Sequence, residues 1–382
     1  MKAQLLPSLF ILGILIGCSA DTPPQTASPA LDLADVLGGD NTGGYLRAEA
    51  LRTFSFPQDH GPHPGFRNEW WYLTGNLETE QGRRFGYQVT FFSTAVAGAG
   101  EPAAASTDAA VGPVAASAWH SERIWMAHVA LTDVEGGEHY PLERFSRENP
   151  GLAGATLAPF RVWLEGWQLR TNGDGFPWQL DIEDTQLDMH LSLQALKPPV
   201  LQGDKGLSQK SPEPGNASYY YSLPRVDTLG TLRIGTETFT VNGLSWLDRE
   251  WSTSALAPDQ SGWDWFSLQF DEGNELMYYQ LRTDRGAVHP NSQGNWTDAN
   301  AQQTLIAPDQ IELEELESWT SPGGIVYTTA WRMRYADKEW RIEAVLADQW
   351  MNLSIPYWEG AVDVLNIDGT RAGRGYLEMV RE

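Results

Sequence analysis

From Tyr45 to the C-terminus, short apolar and aromatic runs, often on every second residue, are broken by Gly, Asn, Asp and Pro. Segments with an apolar residue every three to four positions are scarce. A period of two puts successive side chains on opposite faces of an extended chain. The pattern therefore predicts strands over residues 69–77, 84–92, 124–131, 161–169, 178–185, 188–196, 230–241, 264–270, 275–282, 324–335, 340–346 and 358–365, with Glu80-Gln81-Gly82 as a turn between the first two. Residues 309–317 fit either a strand or an acidic helix. Many short strands at regular spacing predict an all-β protein of antiparallel sandwich or barrel type.

Two stretches interrupt the pattern. Residues 95–118, rich in Ala and Gly, read as a mobile loop. Residues 255–262 (ALAPDQSG) read as a linker. Trp70-Trp71-Tyr72-Leu73, with Tyr87-Gln88-Val89 on the partner run, is echoed by Trp263-Asp264-Trp265-Phe266 with Tyr279-Gln280-Leu281. The echo suggests two similar barrels, dividing the body into residues 45–255 and 256–382.

The N-terminus follows another pattern. After Met1-Lys2, residues 5–17 are apolar, broken only by Pro7, Ser8 and the glycines, and end in Leu15-Ile16-Gly17-Cys18. The run is too short to span a bilayer as a helix and right for the core of an export signal. Its end resembles a bacterial lipobox. That resemblance implies cleavage after residue 17 and lipid attachment at Cys18, the sole cysteine, with two or three acyl chains giving a stable anchor. Residues 18–44, rich in Ala, Asp, Thr, Pro and Gly, read as a flexible tether. The expected location is the bacterial cell envelope, on the outer membrane or the periplasmic face.

Charge and composition narrow the functions. The 382 residues carry a formal net charge of −24, which repels phosphate backbones and argues against a nucleic-acid partner. A single cysteine excludes disulfides within the chain and thiolate metal clusters. No Gly-x-Ser-x-Gly, His-Glu-x-x-His or phosphate-loop spacing occurs, and no cofactor or metal is expected. Seventeen Trp, thirteen Tyr and thirteen Phe suit a concave aromatic pocket.

Four clusters carry candidate chemistry. In Asp59-His60-Gly61-Pro62-His63, two His and a carboxylate have the means to relay protons or hold a metal; a turn or a polar pocket rim is the plainer reading. In Arg67-Asn68-Glu69-Trp70-Trp71-Tyr72, alternation puts Glu69 and Trp71 on one face, so an inward Glu69 needs a partner. In Trp246-Leu247-Asp248-Arg249-Glu250-Trp251, Trp246, Asp248 and Glu250 share a face, and Arg249 and Trp251 take the other. Two carboxylates beside an indole raise one pKa by desolvation and repulsion, as a proton donor requires. Tyr219-Tyr220-Tyr221 offers hydroxyls that orient a substrate or simply pack, and His128 lies within an apolar strand.

Taken together, Asp59-His60, Glu69-Trp70-Trp71-Tyr72-x-Thr74-Gly75-x-Leu77, Ala127-His128, Gly203-Asp204-Lys205-Gly206-Leu207-Ser208, Tyr220-Tyr221-Ser222-x-Pro224-Arg225, Trp246-x-Asp248-x-Glu250-Trp251, Tyr357-Trp358-Glu359-Gly360 and Gly375-Tyr376-Leu377-Glu378 resemble, over roughly residues 50–380, the AttH-like and carotenoid 1,2-hydratase-like proteins, lipocalin-like chains often labelled predicted secreted hydrolases. The resemblance implies two lipocalin-like (calycin) antiparallel β-barrels. It also implies a mixed range of activities, among them hydration of isolated double bonds with an Asp as proton donor, for which Asp248 is the match. The partner His and Trp of that branch fall near positions 219 and 221, where this chain has tyrosines.

The expectation is a membrane-tethered module that binds an apolar or amphipathic small molecule; a hydratase or hydrolase using Asp248 as its acid is the alternative, and a ligand-free envelope scaffold is the third reading. Asp248, Glu250, His60 and Glu69 are the candidate catalytic groups. Trp71, His128, Tyr219, Tyr221, Trp246 and Trp251 are the candidate ligand contacts.

Overall fold

Strand pairing builds the molecule, and the longest pair is its spine. The computed structural model describes residues 43–96, 122–173, 175–254 and 256–381. The expected export signal and lipidation site Cys18, nearly all of the expected tether and nearly all of the Ala/Gly-rich segment lie outside the described residues.

The first sheet contains β1 (Asn68–Glu78), β2 (Arg84–Ala95), β3 (Arg123–Asp133), β4 (Glu138–Arg147), β5 (Ala153–Leu157), β6 (Phe160–Leu164), β7 (Trp167–Thr171), β8 (Trp178–Glu183), β9 (Leu187–Ala195), β10 (Val200–Leu201), β11 (Leu207–Gln209), β12 (Ala217–Ile234) and β13 (Glu237–Ser254). The second contains β14 (Gln260–Phe270), β15 (Glu275–Thr283), β16 (Gln293–Thr297), β17 (Gln303–Ile306), β18 (Ile311–Thr320), β19 (Val326–Tyr335), β20 (Lys338–Ala344), β21 (Trp350–Met351), β22 (Tyr357–Asn366) and β23 (Arg371–Val380). Every pairing is antiparallel. The first sheet runs β4-β3-β2-β1-β13-β12-β9-β8-β7-β6-β5 and curls into a near-closed barrel; the second runs β17-β16-β15-β14-β23-β22-β20-β19-β18 and makes a half-barrel. The all-β, lipocalin-like class read from the sequence is the class observed.

Three segments differ from the expected strands. Residues 161–169 form two strands, because Glu165 takes a left-handed φ of 54° and turns the chain at Glu165-Gly166. Residues 230–241 likewise straddle a turn at Gly235 (φ 57°), where β12 folds back on β13. The ambiguous acidic segment is strand β18, preceded by a single 3₁₀ turn at Pro308–Gln310.

The echoed hairpins occupy matching places. Each aromatic-led strand, β1 or β14, lies between the strand that follows it and the last strand of its own sheet, β13 or β23. Residues 245–253 of β13 are buried without a break, as are Trp71–Leu77 of β1 and Trp265–Phe270 of β14. One face of β13 packs into the first barrel's core with Trp71, Leu73 and Trp251. The other meets the second sheet through Trp246, Tyr72, Tyr220, Trp265 and Tyr376. Cross-sheet polar contacts hold that interface: Glu275, with its side chain fully buried, takes Arg225 at 2.5 Å and Lys197 at 2.7 Å.

Candidate functional site: an acidic aromatic cleft between the sheets

The cleft lies outside both barrel cores, where the sheets meet. It encloses about 870 Å³ of space, its solvent-open mouth included. Trp70, Phe92, Met126, Trp263, Leu256 and Leu281 give it apolar walls, while Asp248, Glu250, Glu378, Lys210, His128 and Tyr357 bring polar groups to it. β13 and β12 supply the first wall. Their register pairs Ser222 with Asp248 and Tyr220 with Glu250, so all four side chains emerge on one face.

Asp248 is 3% exposed. Its Oδ1 accepts from Ser222 Oγ at 2.5 Å and from Trp246 Nε1 at 2.6 Å; its Oδ2 accepts from Tyr220 Oη at 2.5 Å. The Tyr220 hydroxyl in turn accepts from Trp265 Nε1 of the second sheet at 3.2 Å. Burial pushes the carboxyl up to about 7, against the pull of the three hydrogen bonds and with a further push from Glu250. The donors are neutral, so nothing pins Asp248 as an anion.

Glu250 is paired differently. Ser218 donates to it, and Lys210 Nζ lies 3.3 Å away while sitting 3.9 Å from the centroid of the Tyr279 ring. Burial pulls Lys210 down, but Glu250 and Tyr279 outweigh it, so the ammonium stays charged. Across the cleft, β23 presents Glu378, raised to about 7 by burial, against the pull of the Trp263 indole, with Asp248 and Glu250 adding to the rise. Behind it, the fully buried Glu359 takes the Tyr72 hydroxyl at 2.5 Å, and burial with the neighbouring Glu378 holds it well above the usual carboxylate range.

The candidate residues divide between two places. Asp248, Glu250 and His128 line the cleft, with Trp246 behind Asp248. His60, Glu69, Trp71, Tyr219, Tyr221 and Trp251 sit together on the other face, inside the first barrel. There Arg249, wholly buried, donates to Glu69 at 2.5 Å and lies 3.7 Å from the Trp71 ring centroid. His63 stacks on Trp251 at 3.7 Å, and its backbone N–H also binds Glu69 at 2.8 Å. His60 Nδ1 is 2.6 Å from Tyr221 Oη, and burial, helped by Arg249, lowers its pKa to about 4. Tyr219 Oη donates to the Ala50 carbonyl at 2.7 Å. Among the described residues no group of three or more His, Cys, Asp or Glu is placed to hold a metal ion.

Sequence reasoning missed Tyr220, Glu378, Tyr357, Trp263 and Trp265 as site residues. The parity of Tyr220 with Glu250 across one strand pair is the signal that finds the first.

The chain resembles solved structures over nearly its whole length. A Nitrosomonas europaea protein assigned to AttH matches at 34% identity and TM-score 0.74, over 88% of this chain and 99% of that one. Kievitone hydratase from Nectria haematococca shares the fold at 14% identity and TM-score 0.64, over 89% and 97%. CghA, crystallised with Sch210972, shares it at 12% identity and TM-score 0.52, over 92% and 98%. No curated protein matches at a significant level. The AttH-like family model matches residues 47–381. With that coverage, on a fold of one near-closed and one open barrel, the chain belongs to the AttH-like family.

Proposed function

We propose that the cleft takes an apolar or amphipathic small molecule and that Asp248 protonates it, as the first step in adding water to a carbon–carbon double bond. The observation that carries this reading is a buried carboxyl, raised to about 7, held by three neutral donors against an aromatic wall. A carboxylic acid poised near the working pH is an effective proton donor. Indole and phenol faces beside it stabilise a developing cation. That one fold relative is named a hydratase and another was crystallised with Sch210972 agrees with this reading. Lipid attachment at Cys18 would hold the cleft at a membrane surface, beside a store of apolar ligands.

Native mass spectrometry of protein extracted from its own membrane tests the binding. A copurified apolar ligand is the expected result, and repeated emptiness counts against the reading. Asp248→Asn tests the chemistry. The variant should fold and retain the ligand but lose hydration by about 10²-fold or more, the scale of a lost general acid.

A further inference from the structure

We propose that Glu143, His128 and Tyr357 form a proton relay that activates a water in the cleft and passes its proton toward solvent. The inference rests on the hydration reading and supplies the base that reading lacks.

The three residues come from three strands of two sheets. Glu143 on β4 is the register partner of His128 on β3, and its carboxylate lies 3.3 Å from His128 Nε2. His128 Nδ1 lies 2.9 Å from Tyr357 Oη on β22, with the two rings nearly parallel at 24°. His128 and Tyr357 line the cleft; Glu143 does not, and its side chain is 16% exposed. The chain therefore has one end at the ligand and the other at solvent. Glu143 is fixed from outside by Ser354, whose hydroxyl donates at 2.7 Å.

Chemistry sets the direction. Burial pushes Glu143 up, but the hydrogen bonds from His128 and Ser354 outweigh it and keep it ionised. A carboxylate only accepts, so the neutral ring must carry its proton on Nε2. Nδ1 then accepts from Tyr357, whose oxygen is also a hydrogen-bond partner of Glu359. Glu359, kept protonated by burial, donates to that oxygen, and the oxygen's second lone pair is left for a water in the cleft. Burial, with Glu359 and Glu378 nearby, holds Tyr357 well above 10. It therefore passes a proton in concert and does not stand as a tyrosinate.

As the water oxygen bonds to the substrate cation, its O–H bond breaks and the proton joins Tyr357 Oη. The Tyr357 proton moves to His128 Nδ1, and the Nε2 proton moves to Glu143 and out to solvent. Asp248 has given one proton to carbon and regains one from solvent, so the net change is one water added.

The probe is p-nitrophenyl butyrate. Its leaving group departs unprotonated, so hydrolysis needs activated water and no acid, and it reports the base alone. Hydrolysis above the buffer rate is expected. Glu143→Gln and Tyr357→Phe should each lower kcat about 10²-fold, the low end for general-base loss, with KM unchanged. ¹⁵N-histidine NMR should show neutral His128 as the Nε2–H tautomer in the parent and a shift toward Nδ1–H in Glu143→Gln. A parent rate equal to buffer, variants that hydrolyse like the parent, or an Nδ1–H tautomer in the parent overturns the relay. An empty cleft in native mass spectrometry overturns the hydration reading instead, so the two failures are separable.

Discussion

Glu69 and Asp248 are two buried carboxyls on adjacent strands, Glu69 opposite Trp251 and Asp248 opposite Tyr72, and they behave in opposite ways. Both are almost fully withdrawn from water, at 1% and 3% exposure. Glu69 faces the barrel core, where Arg249 and Arg123 more than offset the upward push of burial and hold it below the usual carboxylate range. Asp248 faces the cleft, where hydroxyl and indole donors only partly offset the same push. Desolvation is common to the two sites; the charge of the partner decides the outcome. A guanidinium makes a fixed ion pair that braces the barrel end, whereas neutral donors leave an acid able to exchange its proton near neutrality.

The sharpest way to break the comparison is to remove the guanidinium. Arg249→Met leaves Glu69 charged and buried, and strips donors from the Gly61 and Glu250 carbonyls at 2.7 and 3.0 Å. Such losses cost about 3–5 kcal/mol, the largest effect expected here, read as a fall in the urea midpoint. Adding Glu69→Leu removes the stranded charge. The double variant should be more stable than Arg249→Met alone, because the two sites are coupled. If Arg249→Met unfolds like the parent, the barrel-side pair is not a brace.

How much of this was legible beforehand follows from burial. Period-two alternation marks a strand well and marks its faces only when one face meets water. β8 and β9 do so, with buried and less buried residues in turn. β1 and residues 245–253 of β13 are buried on both faces, so their sequences show a strand without showing which side holds the ligand. Grouping Trp246, Asp248 and Glu250 on one face was within reach of parity alone. Placing Tyr219 and Tyr221 beside them was not, because those two pair with Trp251 and Arg249 on the barrel side. The intervening Tyr220 is the cleft residue, and only the β12–β13 register says so. Glu378 and Tyr357 approach from the second sheet, more than a hundred residues downstream of Asp248, and no local spacing reports such a contact.

Titration sharpens the comparison further. An acid raised in the folded state is protonated there while its unfolded counterpart, at the ordinary value of 3.8, has already ionised. Its contribution to stability is complete below that lower value and is lost as pH rises through about 7. Glu69, held low, works the other way: its contribution is present above the unfolded value and lost as pH falls through the folded one. Over the window from about pH 4 to 7, Asp248 should therefore lower stability as pH rises, by at most about 1.4 kcal/mol per pH unit. Asp248→Asn should make the fall in urea midpoint across that window shallower, Glu378 at about 7 carrying part of the remainder, while Glu69→Gln should leave the slope there in place. An unchanged slope in Asp248→Asn means the acid is not held protonated near neutrality.

The smallest effect tests whether the second sheet reaches into the chemistry or merely covers it. Glu69 draws its charged partners from the first sheet, whereas the hydrogen-bond chain to Asp248 begins at Trp265 on β14 and passes through Tyr220. An indole N–H donated to a phenol oxygen polarises that phenol and strengthens its own donation, by about a tenth to a third per bond. Trp265→Phe keeps an aromatic ring against Tyr72 and Trp246 and removes the donor together with part of the indole's volume, so stability should fall by about 1–2 kcal/mol. With a weaker Tyr220 bond the carboxylate is less well held, and Asp248 should titrate slightly higher, seen by ¹³C NMR of labelled Asp. An unchanged Asp248 titration in a folded Trp265→Phe makes the half-barrel a lid. An upward move makes it part of the acid, and explains why β13 is buried on both faces: one side closes a barrel, and the other is tuned by the neighbouring sheet.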